Sequence, residues 1–277
     1  MLSSRGFEVM KILALGSISV EELRSKLNLS RSAMYNLLKD LRRKGLAELR
    51  GGVISLAETT HARALALAIE MNLLPNPKLL SDTPVRILLS APRPLDVGQV
   101  MRLSLLGRST FYRWFRLLVN EGWMEILPYR MSVSYHLVNP EPGPLHELLV
   151  GYHSYLASRF KVNGGVVVWT NGKQAIIRNR AEWGGGTVTA FSAFPRFGVP
   201  VFLPEVREYA LPKRKLGPQE VFDHACLLAD DHRLKGLCIT FYRRNRPLLA
   251  KHWAIEAVMK GKEVLGWPKK LEVDLNG

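Results

Sequence analysis

Two short stretches of the chain crowd together side chains that hydrogen-bond to anions and heterocycles. Arg31, Ser32, Tyr35, Asn36, Lys39, Arg42 and Arg43 fall within thirteen positions, and Arg108, Ser109, Tyr112, Arg113 and Arg116 within nine. Arginine presents a planar fork of donors that matches guanine, asparagine pairs bidentately with adenine, and serine, lysine and tyrosine more often hold phosphate oxygens. Arg31, Asn36, Arg108 and Arg113 are therefore expected at base edges, and Ser32, Tyr35, Lys39, Ser109, Tyr112 and Arg116 at the phosphate backbone. A third stretch offers different chemistry. Glu220, Asp223, His224, Asp230, Asp231 and His232 also lie within thirteen positions, and carboxylate with imidazole can hold a metal for phosphodiester hydrolysis. Against that use, Asp223 and His224 are adjacent and point in different directions on a helix, while Asp230–His232 read as the polar stop that ends one. No phosphate-binding glycine loop, dinucleotide fingerprint or serine elbow occurs, and no cofactor is expected.

The elements that must position the first two stretches come from an internal repeat. Residues 30–49, SRSAMYNLLKDLRRKGLAEL, align without a gap on residues 107–126, GRSTFYRWFRLLVNEGWMEI, at an offset of 77. Arg31 pairs with Arg108, Ser32 with Ser109, Tyr35 with Tyr112, Leu41 with Leu118, Gly45 with Gly122 and Glu48 with Glu125. Apolar character is kept at Met34/Phe111, Leu38/Phe115 and Leu49/Ile126, and upstream at Ile12/Leu89, Val20/Val97 and Leu23/Val100. Two copies of one supersecondary unit account for this.

Each copy parses alike. A first helix is expected over about Gly6–Leu15, or Pro84–Ser90. A second opens at Ser19, an N-cap with Glu22 three residues on. After a turn at Asn28, or at Leu105–Gly107, a third helix buries Met34, Leu37, Leu38 and Leu41, spaced for one apolar face. Gly45 and Gly122 end it, because a left-handed C-terminal position favours glycine. Strand pairs follow, Leu46–Arg50 with Val53–Leu56 and Trp123–Leu127 with Val133–Val138, with tips at Gly51–Gly52 and Pro128–Ser132. Three helices and a hairpin make a winged helix, and Arg50 and Arg130 would sit on the two wings. Both segments resemble winged helix-turn-helix regulators of the MarR/ArsR-like type, with Ser30-Arg31-Ser32, Tyr35 and Lys44-Gly45-Leu46 marking the recognition helix and its exit. The resemblance implies that the third helix of each copy enters a DNA major groove.

Trailing each copy is an apolar helix, Thr59–Leu74 and Leu145–Phe160, flanked by prolines. Such helices serve as a dimer interface or a spine between modules, so a homo-oligomer is compatible with the pattern. His61, His146 and His153 on them read as ordinary helix residues. From Lys161 the texture becomes α/β: a hairpin at Val166–Thr170 and Gln174–Arg178, an ambiguous Thr187–Phe194, a short strand at Val199–Leu203, a helix at Pro218–Asp230, a buried strand at Leu234–Tyr242 and a helix at Leu248–Lys260. The expected fold is thus α+β, with winged-helix domains at 1–78 and 79–160 and a C-terminal α/β domain at 161–277. The stretches TAFSAFPRFGVPVF (Thr189–Phe202) and GPQEVFDHACLLADD (Gly217–Asp231) resemble AbiEi-type antitoxin regulators. That resemblance implies promoter autoregulation and a nucleotidyltransferase-type toxin as protein partner.

Charge agrees with a polyanionic partner. The chain carries 39 Lys and Arg against 24 Asp and Glu, a net +15. The excess is not held in a tail: 20 basic face 13 acidic residues up to Phe160, and 19 face 11 beyond it. A basic surface of this kind attracts nucleic acid. Lys213–Lys215 and Arg243–Arg246 are either solvated faces or extra phosphate contacts. Two cysteines, no leader-like start and no membrane-length apolar run point to a cytoplasmic protein without a membrane partner. The expected function is a non-enzymatic, sequence-specific double-stranded-DNA-binding transcriptional regulator. The alternatives are a metal-dependent nucleic-acid enzyme using Glu220–His232, and a protein–protein adaptor.

Overall fold

A computed structural model of the chain describes residues 1–74, 76–93, 95–126, 132–134, 143–180, 182–201, 205–262, 264 and 267. The fold is mixed α+β, with three small antiparallel sheets. No helix among the described residues is long and apolar enough to cross a membrane. The chain forms two compact units: Met1–Leu89, Ser109–Met124 and His136–Arg159 in the first, Ser90–Arg108, Glu125–Tyr135 and Phe160–Gly277 in the second. This division passes through the second copy of the repeat.

Along the chain the two copies have the same order of elements. The first runs α1 (Ser4–Leu15), β1 (Ile18–Ser19), α2 (Val20–Lys26), α3 (Arg31–Arg43), β2 (Ala47–Arg50), β3 (Val53–Leu56) and α4 (Thr60–Glu70). The second runs α5 (Asp82–Leu89), β4 (Leu95–Asp96), α6 (Val97–Leu103), α7 (Arg108–Asn120), β5 (Glu125–Ile126), β6 (Ser132–Ser134) and α8 (Pro144–Ser158). The sheets have matching strand orders, β1-β3-β2 and β4-β6-β5. Ile18 and Leu49 flank Ile54 across one sheet as Leu95 and Ile126 flank Val133 across the other. Local chemistry repeats as well. Ser19 caps α2 by accepting from the Glu22 amide, and Asp96 caps α6 in a full capping box with Gln99. Asn28 and Leu105, one offset apart, both adopt positive φ, at 48° and 53°. Asparagine tolerates that conformation and leucine pays a steric penalty for it. Gly45 and Gly122 close α3 and α7 at φ 66° and 71°. Beyond Ile126, the rest of the expected second hairpin lies outside the described residues, apart from Ser132–Ser134.

In the first unit, Val9, Met10, Leu23, Met34, Leu41 and Ile54 are fully or almost fully buried around the β1-β3-β2 sheet. The helices α4 and α8 pack along one another. Their approach is close at Gly151, where a Cβ would stand 2.8 Å from the His61 backbone nitrogen.

The second unit departs from the sequence reading. Its main sheet, β7 (Gly165–Thr170), β8 (Ala175–Asn179), β9 (Thr187–Val188) and β10 (Arg207–Leu211), has the order β7-β8-β10-β9 and every pairing is antiparallel. The expected α/β domain is therefore of α+β type: its longer helices follow the sheet, and its strands are antiparallel instead of alternating with helices as parallel strands do. The buried strand expected at Leu234–Tyr242 is a helix, α11 (His232–Asn245). Asp231 caps it by accepting from the Leu234 amide at 2.7 Å, and burial on almost all sides hides the helical period behind an apolar run. The ambiguous Thr187–Phe194 divides into β9 and a one-turn helix, α9 (Ala190–Ala193), continued by a 3-10 turn at Phe194–Phe197. Residues 199–201 form no strand, and Phe202 and Leu203 lie outside the described residues. The helix expected at 218–230 is α10 (Pro218–Leu228). The helix expected from Leu248 is shorter, α12 (Trp253–Met259), and starts at an N-cap on His252. Phe194 stacks on Phe241 at 4.2 Å between ring centroids, and Phe222 meets Phe241 and Tyr242, forming an aromatic core.

Candidate nucleic-acid interface

Ser30 starts α3 by accepting a hydrogen bond from the Ala33 amide at 3.2 Å, and its hydroxyl lies 3.3 Å from that of Ser32. Met34, Leu38 and Leu41 are buried. The opposite face therefore turns Arg31, Ser32, Tyr35, Asn36, Lys39, Arg42 and Arg43 to solvent, with Tyr35 65% exposed. One acid interrupts the helix, Asp40. It accepts from Lys44 Nζ at 2.5 Å and Arg43 Nη2 at 2.8 Å, which draws Arg43 back toward the preceding turn of the helix. Arg31, Lys39 and Arg42 have no carboxylate partner among the described residues. On the hairpin, Arg50 is exposed but paired with Glu48 at 2.7 Å. Gly51 and Gly52 form its two-residue tip at φ 56° and 78°, the paired positive φ that a tight hairpin of this twist requires.

The α7 helix repeats the plan with more aromatic surface. Phe111, Phe115 and Leu118 are buried, and Arg108, Ser109, Arg113 and Arg116 are exposed. Tyr112 differs from Tyr35. It is half-buried and meets Phe111 edge-on at 5.4 Å and Phe115 at 6.5 Å. The guanidinium of Arg113 lies 5.7 Å over the half-buried ring of Trp114. Arg130 lies outside the described residues.

The C-terminal end of α3 is held by residues that the sequence did not single out. Its last carbonyls have no partner within the helix, and side chains from other elements supply donors. Thr59 Oγ1 donates to the Gly45 carbonyl at 2.7 Å, and His61 Nε2 lies 2.8 Å from the Lys44 carbonyl. Tyr155 Oη and Arg159 Nη1, both at the end of α8, donate to the Arg43 carbonyl at 2.8 and 3.3 Å. A carbonyl only accepts, so His61 carries its proton on Nε2; burial holds its pKa below the usual imidazole value. His61, read from sequence as an ordinary helix residue, is thus part of a cap on the preceding helix. The signal for it was Gly45, whose missing side chain leaves room for the Tyr155 ring: a Cβ there would stand 2.5 Å from Cε2.

The acidic and histidine cluster of the second unit does not converge. Asp223, 2% exposed, accepts from Arg102 Nε at 2.6 Å and Nη2 at 2.9 Å, and from Gln219 at 3.0 Å. This bidentate pair ties α6 to α10. His224 Nδ1 lies 2.7 Å from Thr189 Oγ1, and burial, then Arg214, push its pKa down to about 3. Glu220 pairs with Arg214, and Asp231 caps α11. Among the described residues, no three His, Cys, Asp or Glu side chains are grouped to hold a metal ion. More polar contacts fix α6: His252 Nε2 to Gln99 Oε1 at 3.1 Å, and Asn171 and Gln174 side-chain amides donating to the Leu103 carbonyl at 2.8 and 2.6 Å.

Set against protein-family models, curated proteins and solved structures, the chain matches none.

Proposed function

We propose that the chain is a sequence-specific, double-stranded-DNA-binding transcriptional regulator built on two tandem winged helix-turn-helix modules. The observation that carries this reading is the repeat. Two copies share element order, strand order, cap positions, a left-handed turn before the third helix and a left-handed glycine after it. In both, the outer face of the third helix carries Arg and Ser at matching positions, and a Tyr three residues on is exposed in α3 and half-buried in α7. In this reading α3 and α7 are the recognition helices, with base-reading roles for Arg31, Asn36, Arg108 and Arg113. Ser32, Tyr35, Lys39, Arg42, Ser109 and Arg116 hold phosphates. Tyr112, half-buried against Phe111, serves more as packing than as a phosphate ligand. Arg43 and Arg50, each paired to a carboxylate, contribute less than Arg31, Lys39 and Arg42. Autoregulation of the chain's own promoter, and a nucleotidyltransferase-type toxin as partner, extend the proposal on the resemblance of the C-terminal stretches to AbiEi-type antitoxins.

The test is duplex binding to the chain's own upstream region and to a scrambled duplex, at about 50 and 200 mM salt, across which phosphate-driven affinity falls steeply. A preference for the upstream region that persists at the higher salt supports a sequence-reading regulator. Equal binding to both duplexes that collapses with salt reduces the protein to a nonspecific binder, and no binding overturns the proposal.

A further inference from the structure

We propose that the corner where the 194–197 turn meets the end of α11 is an additional phosphate-contacting surface for duplex DNA, carried by Arg196, Arg243 and Arg244. This rests on the DNA-binding reading above and assigns the C-terminal unit a direct share in it. The two basic clusters of the C-terminal sequence are each partly neutralised in the fold. Lys213 Nζ donates to the Gly184 carbonyl at 2.8 Å, Arg214 pairs with Glu220 at 2.5 Å, and Arg246 pairs with Glu256 at 2.8 Å. Arg243 and Arg244 are exposed and have no carboxylate partner among the described residues, and the same holds for Arg196, which comes from a separate segment.

Packing brings that segment to the helix end. Asn245 Nδ2 donates to the Phe197 carbonyl at 3.3 Å, and the Phe197 ring meets Phe241 edge-on at 5.6 Å. The Arg244 guanidinium is seated against Gly198, where a Cβ would stand 2.8 Å from Nε and 3.2 Å from Cζ. Gly198 has φ 78°, so that seat depends on glycine. Arg196 lies over the Phe197 ring at 6.0 Å. Cations in the last turn of a helix are favoured by its dipole, which accounts for Arg243 and Arg244 alone. It does not account for Arg196, and Gly198 is fixed as the left-handed cap of the 194–197 turn. Arg196, Arg243 and Arg244 lie on two segments that pack together and have no carboxylate partner among the described residues, so a polyanion can neutralise them. The groups are exposed and spread over two segments instead of enclosing a cavity, which suits successive phosphates of a duplex more than one bound anion.

The experiment compares the full chain with the triple variant Arg196→Gln/Arg243→Gln/Arg244→Gln on upstream and scrambled duplexes across a salt series. Each lost phosphate contact lowers the slope of log affinity against log salt by about 0.9, so three lost contacts lower it by about 2.7. The variant's deficit should then shrink by about 40-fold between roughly 50 and 200 mM salt. The ratio between the two duplexes should stay unchanged. The matching triple Lys variant keeps the charge and should restore most of the slope, separating electrostatics from packing. An unchanged slope in a wild-type protein that does discriminate between the duplexes would overturn this inference and leave the proposed function standing. Loss of discrimination without a change of slope would overturn it too. A wild-type protein that binds neither duplex would take down both.

Discussion

Acidification should unfold this protein through two histidines buried in the neutral form. His224 and His252 are each 3% exposed, and burial, with Arg214 near the first and Arg102 near the second, holds both pKa values down to about 3 against 6.5 in the unfolded chain. Each histidine binds a proton more readily when unfolded. The stability it contributes is therefore intact above pH 6.5 and is lost as the pH falls from there toward 3. At about 1.4 kcal/mol for each pH unit crossed, one such histidine costs about 2 kcal/mol at pH 5, and the two together about 4 kcal/mol. That is a large share of the 5–15 kcal/mol typical of a folded domain. His61 and His153, whose pKa values are also lowered by burial, add loss of the same sign, so the informative quantity is a difference between variants. Asparagine has an oxygen near the place of Nδ1, which keeps the contact with Thr189 at position 224 and the N-cap of α12 at position 252. Urea unfolding followed by circular dichroism at pH 7.5, 6.5, 5.5 and 5.0 should show His224→Asn and His252→Asn each flattening the pH slope, by about 2 kcal/mol over the range. A double variant as acid-sensitive as the wild type would refute the reasoning, because neither imidazole would then be held neutral by the fold.

The other predictions concern the helices that the repeat places. Arg31→Ala and Arg108→Ala should each cost about 1–3 kcal/mol of duplex affinity and relax base preference, whereas Lys39→Ala should weaken all sequences alike, as competition binding with single-base operator variants will report. Arg102→Ala leaves the Asp223 carboxylate buried without its cation and should destabilise the second unit by about 3–5 kcal/mol, while replacing both residues with apolar ones should recover much of that loss in denaturant titrations. Gly45→Ala forces a side chain into the left-handed region and into the Tyr155 ring. It should lower stability by at least about 1–2 kcal/mol, more than alanine at the open position Gly51, whose φ is also positive.

What could be read in the sequence divides along physical lines. The repeat, the cap at Ser19 and the closing glycines were legible because they are local: a hydroxyl before an apolar period and a glycine after it describe themselves within a turn of chain. The exposed cations of α3 were legible for the same reason, since Met34, Leu38 and Leu41 fix which face is turned outward. The cap on that helix was not. Tyr155 and Arg159 lie more than a hundred residues from Arg43, and nothing in the local pattern at 155–159 marks a donor for a distant carbonyl. Asp223 was ambiguous in the opposite way. Beside His224 it resembles half of a metal site, and only the bidentate approach of Arg102, from far back in the chain, shows its role as a structural anion. For α11 the failure was one of period, because a helix buried on almost every side reads as the apolar run of a strand, and the Asp231 cap was the one local sign against it.

How the second copy is divided gives the proposed function its internal logic. In the first copy, the third helix, its capping donors and its sheet all belong to one unit, so α3 is fixed by its own neighbourhood. In the second, α7 falls in the first unit while α6 and the β4-β6-β5 sheet fall in the other. There α6 is held by Asp223 through Arg102, by His252 through Gln99, and at the Leu103 carbonyl by Asn171 and Gln174. In the proposed function α6 is the first helix of the second helix-turn-helix, and the contacts that hold it all lie within the second unit. On the proposed DNA-binding reading, in which α6 and α7 are the two helices of one helix-turn-helix motif, substitutions that loosen the α6 contacts should reduce base discrimination at the half of the operator assigned to α7 and spare the half assigned to α3. Footprinting of Arg102→Met/Asp223→Leu, a pair chosen to keep the unit folded, measures this directly. Equal loss over both halves would mean that the two modules are coupled by some route other than α6.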